Sequence, residues 1–147
     1  MIIDARRCLF LILVTASNVF AADDLQIDEN LLGLHINEIQ KESWVCKKAL
    51  SNKIMCNRKS PGKAFNMPAS KIELMFNKNK VLYIIYAEVK SFDAEVVSHA
   101  IKKKHGKPKT YKTPRNVYTD VWSLTEKSIT VKIDHPSMVG SITVVKY

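Results

Sequence analysis

The residues with the most definite chemistry are Cys46 and Cys56, ten positions apart in a chain of 147 residues that holds one further cysteine, Cys8. What two thiols do depends on their compartment, and the N-terminus speaks to that. Arg6 and Arg7 precede an apolar run over residues 8–14, and small residues close the segment at Val19-Phe20-Ala21 before Ala22, or one position later before Asp23. This is the layout of an export signal over residues 1–21, cleaved after Ala21 or Ala22. The run is short for a bilayer-spanning helix, so no transmembrane span is expected after cleavage. An uncleaved anchor is the alternative, to which Asp4 in the basic start lends weight. Cleavage would remove Cys8 and leave Cys46 and Cys56 alone in an oxidising compartment, where they are expected to pair as a disulfide. Only if left reduced could Cys46 serve as a nucleophile.

The spacing also carries geometry. Positions 46 and 56 have the same parity, so on one hairpin both side chains leave the same face. They stand opposite each other only if the turn is centred on Ser51, which predicts an odd loop such as Leu50-Ser51-Asn52. Closing so small a ring is worth about 2–3 kcal/mol to the fold.

Other chemistry is sought and not found. The sequence has no nucleophile elbow, no glycine-rich phosphate loop and no HExxH. His35, His99, His105 and His135 are scattered, and six residues on a helix turn His105 about 600° from His99, a poor alignment for one metal. Glu73 and Glu88 are alternating carboxylates of the kind common on solvated sheets. No catalytic, cofactor-binding or metal-ligating residues are therefore assigned.

One binding constellation remains. Lys102, Lys103 and Lys104 are followed by Lys107, Lys109, Lys112 and Arg115, interleaved with Tyr111 and Tyr118. Cations among aromatics suit a polyanion or an acidic partner by charge and stacking. A plainer account competes with this: the three lysines complement a helix C-terminus, and the tyrosines lie against a sheet. The charge is unevenly spread. The chain carries a formal +9, yet residues 22–45 hold six acids against Lys41, and everything from Cys46 onward amounts to +13. Such a balance favours an acidic envelope protein, anionic lipid or glycan as partner, and an exported protein seldom meets nucleic acid. Lysine rather than arginine supplies most of the charge, which suits solubility better than dedicated phosphate recognition.

The elements that must position these residues read as follows. Residues 22–30 form a flexible acidic lead-in, and residues 31–147 one α+β domain. Asn37, with Gln40 three positions on, predicts a short helix over residues 37–42. The cysteine hairpin follows, and Pro61-Gly62 marks a loop. Ile72, Leu74 and Phe76 alternate, and residues 81–89 form a strand apolar on both faces, hence central. Residues 91–105 form the main helix, capped by Ser91 and ended by Gly106 and Pro108, with Phe92, Val96, Ala100 and Ile101 on one face. Residues 117–124, 128–134 and 138–145 read as a closing meander with Trp122 in the core. The expected architecture is an antiparallel sheet of about six or seven strands carrying a main and a short helix. Its halves, residues 31–89 and 91–147, would be similar helix-plus-meander units.

This pattern of a short helix after Gly33, a cysteine pair, a hairpin, Phe92 before Lys-His-Gly-Lys-Pro, Trp122 and terminal strands resembles small exported α+β proteins of Gram-negative bacteria. Its layout is similar to the outer-membrane-assembly lipoproteins and to the repeat unit of beta-lactamase inhibitory proteins. The chain departs from them in lacking a lipobox cysteine and in placing Leu-His after Gly33, so no functional residue is carried over. Many of that group have no assigned activity; the export signal, the disulfide, the two-unit antiparallel sheet and the lack of a catalytic set together point to a non-enzymatic binding or inhibitor module, periplasmic or secreted, acting through a protein surface. The alternative is a binder of lipopolysaccharide or glycan through the basic constellation, and an exported hydrolase has the least support.

Overall fold

A computed structural model describes residues 26–39 and 41–147. The expected export signal lies outside them. The described chain forms nine strands and one α-helix. They are β1 (Trp44–Lys48), β2 (Ile54–Arg58), β3 (Gly62–Ala64), β4 (Met67–Phe76), β5 (Leu82–Lys90), α1 (Ser91–His105), β6 (Lys109–Lys112), β7 (Val117–Ser123), β8 (Lys127–Asp134) and β9 (Val139–Lys146). All belong to one sheet in the order β1-β2-β4-β5-β9-β8-β7-β6, with β3 beside β4. Every named strand pair is antiparallel.

The content is α+β, but the expected six or seven strands and two helices are corrected to nine and one. The extra strands, β3 and β6, were hidden in segments that read as loops. Both lie at sheet edges; β3 is only three residues long and all four β6 residues are exposed, so neither shows an apolar alternation. In place of the helix over residues 37–42 stand two three-residue 3-10 turns, Ile36–Glu38 and Lys41–Ser43. The cap is His35, whose ring accepts from the Asn37 amide, while the Glu38 carboxylate accepts from the His35 amide at 2.5 Å. The backbone then extends at Ile39, which is buried at 4 % exposure. A continuous helix would lose that anchor, and so short a segment gains little from helical propagation. Consequently the two halves are not equivalent units: each contributes a block of neighbouring strands, but only the second carries a helix.

The core is built in transverse rows on one sheet face. Strand register sets Cys46, Cys56, Leu74, Ile85, Val144, Ile129 and Trp122 side by side, and all but Cys46 are buried. The disulfide is thus the end of the central core row. Cys46 faces Cys56 across the β1–β2 pair, with Cα atoms 4.0 Å apart, the close spacing of a non-hydrogen-bonded pair. The loop between them is Leu50–Asn52, with Ser51 at φ 60°, as the spacing requires. Trp122 lies in the core as expected, at 3 % exposure. β5 is central as expected.

The next row runs Ile72, Ala87, Ile142, Val131 and then Asp120 and Thr110. α1 lies over these rows, contacting β4, β5, β8 and β9. Gly140 lets it come close: a Cβ built there would stand 2.3 Å from the Cβ of Ala94. The first helical residue is Ser91 itself, with Lys90 at the cap position, and Gly106 ends the helix at φ 84°. An N-terminal strap covers one end of this layer. Ile27 bridges Ala64, the Gly33 amide donates to Leu82, and the Leu82 amide donates to Leu34. Packing therefore begins at Ile27, inside the stretch read as a lead-in.

Candidate partner-binding surface

The rotation of α1 about its own axis decides what the protein presents. The residues it buries are Ser91, Ala94, Val97, Ser98 and Ile101. Phe92, Val96 and Ala100, which the sequence pattern places on a core-facing side with Ile101, point outward, with Phe92 70 % and Val96 39 % exposed. Two contacts hold this rotation. Ala94 fits only over Gly140, and the Ser98 hydroxyl donates to Asp120 at 2.6 Å. Asp120 also accepts from Thr110 at 2.6 Å, so a carboxylate at the end of an apolar row is satisfied by two hydroxyls. Serine faces inward because its partner does, and the more apolar stripe is left outside.

Beside that stripe runs a groove of about 250 Å³. Its walls include Val96, Ala100 and Ile101 of α1, with Phe65 and Met67 of the β3–β4 hairpin facing them. The hairpin turns through Phe65 (φ 53°) and Asn66 (φ 63°), the two left-handed positions of a tight two-residue loop. Phenylalanine is a costly residue there, where asparagine or glycine is usual. Its ring nonetheless forms the wall of the groove.

Glu29 closes one end of the groove. The strap places it in a 3-10 turn, Glu29–Leu31, and its side chain is 9 % exposed. It ion-pairs with Lys104 at the end of α1 and with Lys127 of β8 at 2.8 Å, while His105 Nε2 lies 3.1 and 3.2 Å from its two oxygens. Burial alone would raise the carboxyl pKa; the hydrogen bonds from Lys104, Lys127 and His105 outweigh burial and hold it at about 2.

The basic constellation does not converge. Lys102 and Lys107 border a polar cavity of about 250 Å³ with Glu95, Ser98, His99 and Asp120. Lys103 is exposed in the last turn of α1, and Lys104 is engaged by Glu29. β6 register sends Lys109 and Tyr111 to the face of Val121 and Thr119, but Lys112 to the opposite face beside Tyr118. Each pair is locally stacked, with Lys109 5.1 Å from the Tyr111 ring centre and Lys112 5.0 Å from that of Tyr118. Arg115 is exposed in the β6–β7 turn. His135 pairs with Glu95 at 2.9 Å, and among the described residues no group of three His, Cys, Asp or Glu side chains is placed to hold a metal.

The opposite sheet face is more self-satisfied. Its row Met55, Met75, Ile84 and Val145 is half-buried, the Tyr83 hydroxyl donates to Met75 at 2.9 Å, and Lys71 pairs with Glu73 at 2.9 Å. No family model, curated protein or solved structure matches the chain.

Sequence reasoning missed Glu29, Phe65, Met67 and Lys127. Glu29 reads only as one acid among six, and Phe65 and Met67 fall between the Pro61-Gly62 loop and the alternation from Ile72, in a stretch that no pattern assigns. An apolar residue between Ala64 and Asn66, where a turn wants polar ones, was the available signal.

Proposed function

We propose that the protein is an exported, non-enzymatic binding or inhibitor module of the periplasm or envelope that acts by docking a partner protein along α1 and its groove. The observation that carries this reading is the outward stripe of Phe92, Val96 and Ala100 beside a groove walled by Phe65 and Met67. Phe92 is 70 % exposed on the main helix, and with Val96 and Ala100 at successive four-residue steps it forms an outward apolar stripe, the kind of surface that marks interaction sites. The net positive charge favours an acidic partner, by steering its approach. The disulfide fits an oxidising compartment, and among the described residues no helix is long and apolar enough to cross a membrane.

The test is capture from a periplasmic extract by the mature protein, with the Phe92→Ser/Val96→Ser double variant in parallel. Saturable binding of one partner at physiological salt, lost in the variant, supports the reading. Binding unchanged by the variant overturns it. Heparin or lipopolysaccharide binding that falls steeply with salt would favour the polyanion reading instead.

A further inference from the structure

We infer that the partner segment carries a carboxylate beside its apolar residues, and that this carboxylate enters the socket of Lys104, His105 and Lys127 that Glu29 fills in the free protein. The inference rests on the docking reading above and adds the chemistry of the partner to it. Glu29 lines both the apolar groove and a second cavity of about 410 Å³, which Leu124, Lys127, His105 and Lys146 also line. A segment lying in the groove therefore ends at the socket. Two lysines and a histidine converge on one carboxylate, and Lys146 stands close by, its Nζ 3.6 Å from where a Cβ of Gly33 would be. Such a socket selects anions, and Glu29 itself demonstrates that it fits a carboxylate. Glu29 is carried by a three-residue turn, outside every strand and α1, so its side chain can withdraw without breaking the sheet.

Octanoate and octanamide are the probes, since both carry the same chain and only one a charge. Binding is followed by titration of the methyl resonances of Met67, Val96 and Ile101 in wild type, Glu29→Gln and Lys127→Met proteins. The expected result is that wild type prefers octanoate, that Glu29→Gln widens the preference to about tenfold, and that Lys127→Met abolishes it. Octanoate and octanamide binding Glu29→Gln alike overturns the inference and leaves the docking surface standing. Neither probe shifting the groove methyls in any of the three proteins overturns both. If Glu29→Gln does not fold, the wild-type and Lys127→Met comparison decides alone: an octanoate preference that survives loss of Lys127 overturns the socket. Co-sedimentation with phosphatidylglycerol vesicles, abolished by Phe92→Ser, would assign the surface to lipid and overturn the inference as well.

Discussion

The indole N–H of Trp122 donates a 2.8 Å hydrogen bond to the carbonyl oxygen of Gly106. One partner ends the central core row and the other ends α1, so a single contact fixes the helix terminus to the sheet. Trp122→Phe keeps an aromatic ring but removes the donor and part of the buried volume. We expect a loss of about 2 kcal/mol in unfolding free energy, read as a lower urea midpoint at unchanged slope.

Gly140 and Ala94 set the depth of the same helix. With a built Cβ only 2.3 Å from the Ala94 Cβ, Gly140→Ala must push α1 outward or bend β9. Overpacking of this kind costs about 1–3 kcal/mol. Ala94→Gly in the same chain removes the opposing methyl at its own helix-propensity cost of about 1 kcal/mol. The two changes should therefore be less damaging together than their sum, and a double-mutant cycle from chemical denaturation measures the difference.

Such contacts mark where the sequence stops being legible. The cysteine spacing fixed its hairpin, because parity and loop length leave one solution, and Ser51 sits at the turn it demands. The apolar strands β5, β8 and β9 were readable from their patterns. Edge strands β3 and β6 were not: β3 is three residues long with only Ala64 buried, and β6, exposed throughout, needs no alternation. The rotation of α1 was misread for a different reason. Two overlapping stripes, one through Phe92, Val96 and Ala100 and one through Ala94, Val97, Ser98 and Ile101, both satisfy helical spacing. Gly140 and Asp120, on distant strands, choose between them. Glu29 was invisible as a site because its partners Lys104, His105 and Lys127 lie 75 residues or more along the chain.

Glu29 also predicts an acid response. Its pKa falls from the ordinary 4.5 to about 2 in the folded protein, so the folded state holds its proton less readily than the unfolded chain. Its contribution is present in full above about pH 4.5 and disappears as pH falls toward 2. Denaturation of wild type should steepen across that window, and Glu29→Gln should flatten that limb while starting from a lower plateau. Parallel curves for the two proteins between pH 5 and 2 would remove Glu29 as the cause.

The disulfide joins the outer strand β1 to a core cysteine, Cys56, which has no solvent exposure. Its ring is short, so reduction should cost about 2–3 kcal/mol without unfolding the sheet. Cys46→Ser, which leaves the buried Cys56 as a thiol, should reproduce the reduced protein's urea midpoint, and reductant should then have no further effect. Intact mass of the unreduced protein should fall about two daltons below that of the dithiol form.

Phe92 and Val97 give the sharpest contrast, because both are apolar residues of one helix and their substitutions should diverge. Val97 is buried at 3 % exposure, so Val97→Ala should cost about 1–3 kcal/mol through the space it leaves. Phe92 is 70 % exposed, and Phe92→Ser should stay within about 0.5 kcal/mol of wild type. Partner capture should show the reverse order, falling sharply for Phe92→Ser and little for folded Val97→Ala. A Phe92→Ser protein as destabilised as Val97→Ala would mean that the ring packs inward, and the outward stripe would be lost as a docking surface. Stability retained together with capture retained would place the partner elsewhere on the sheet.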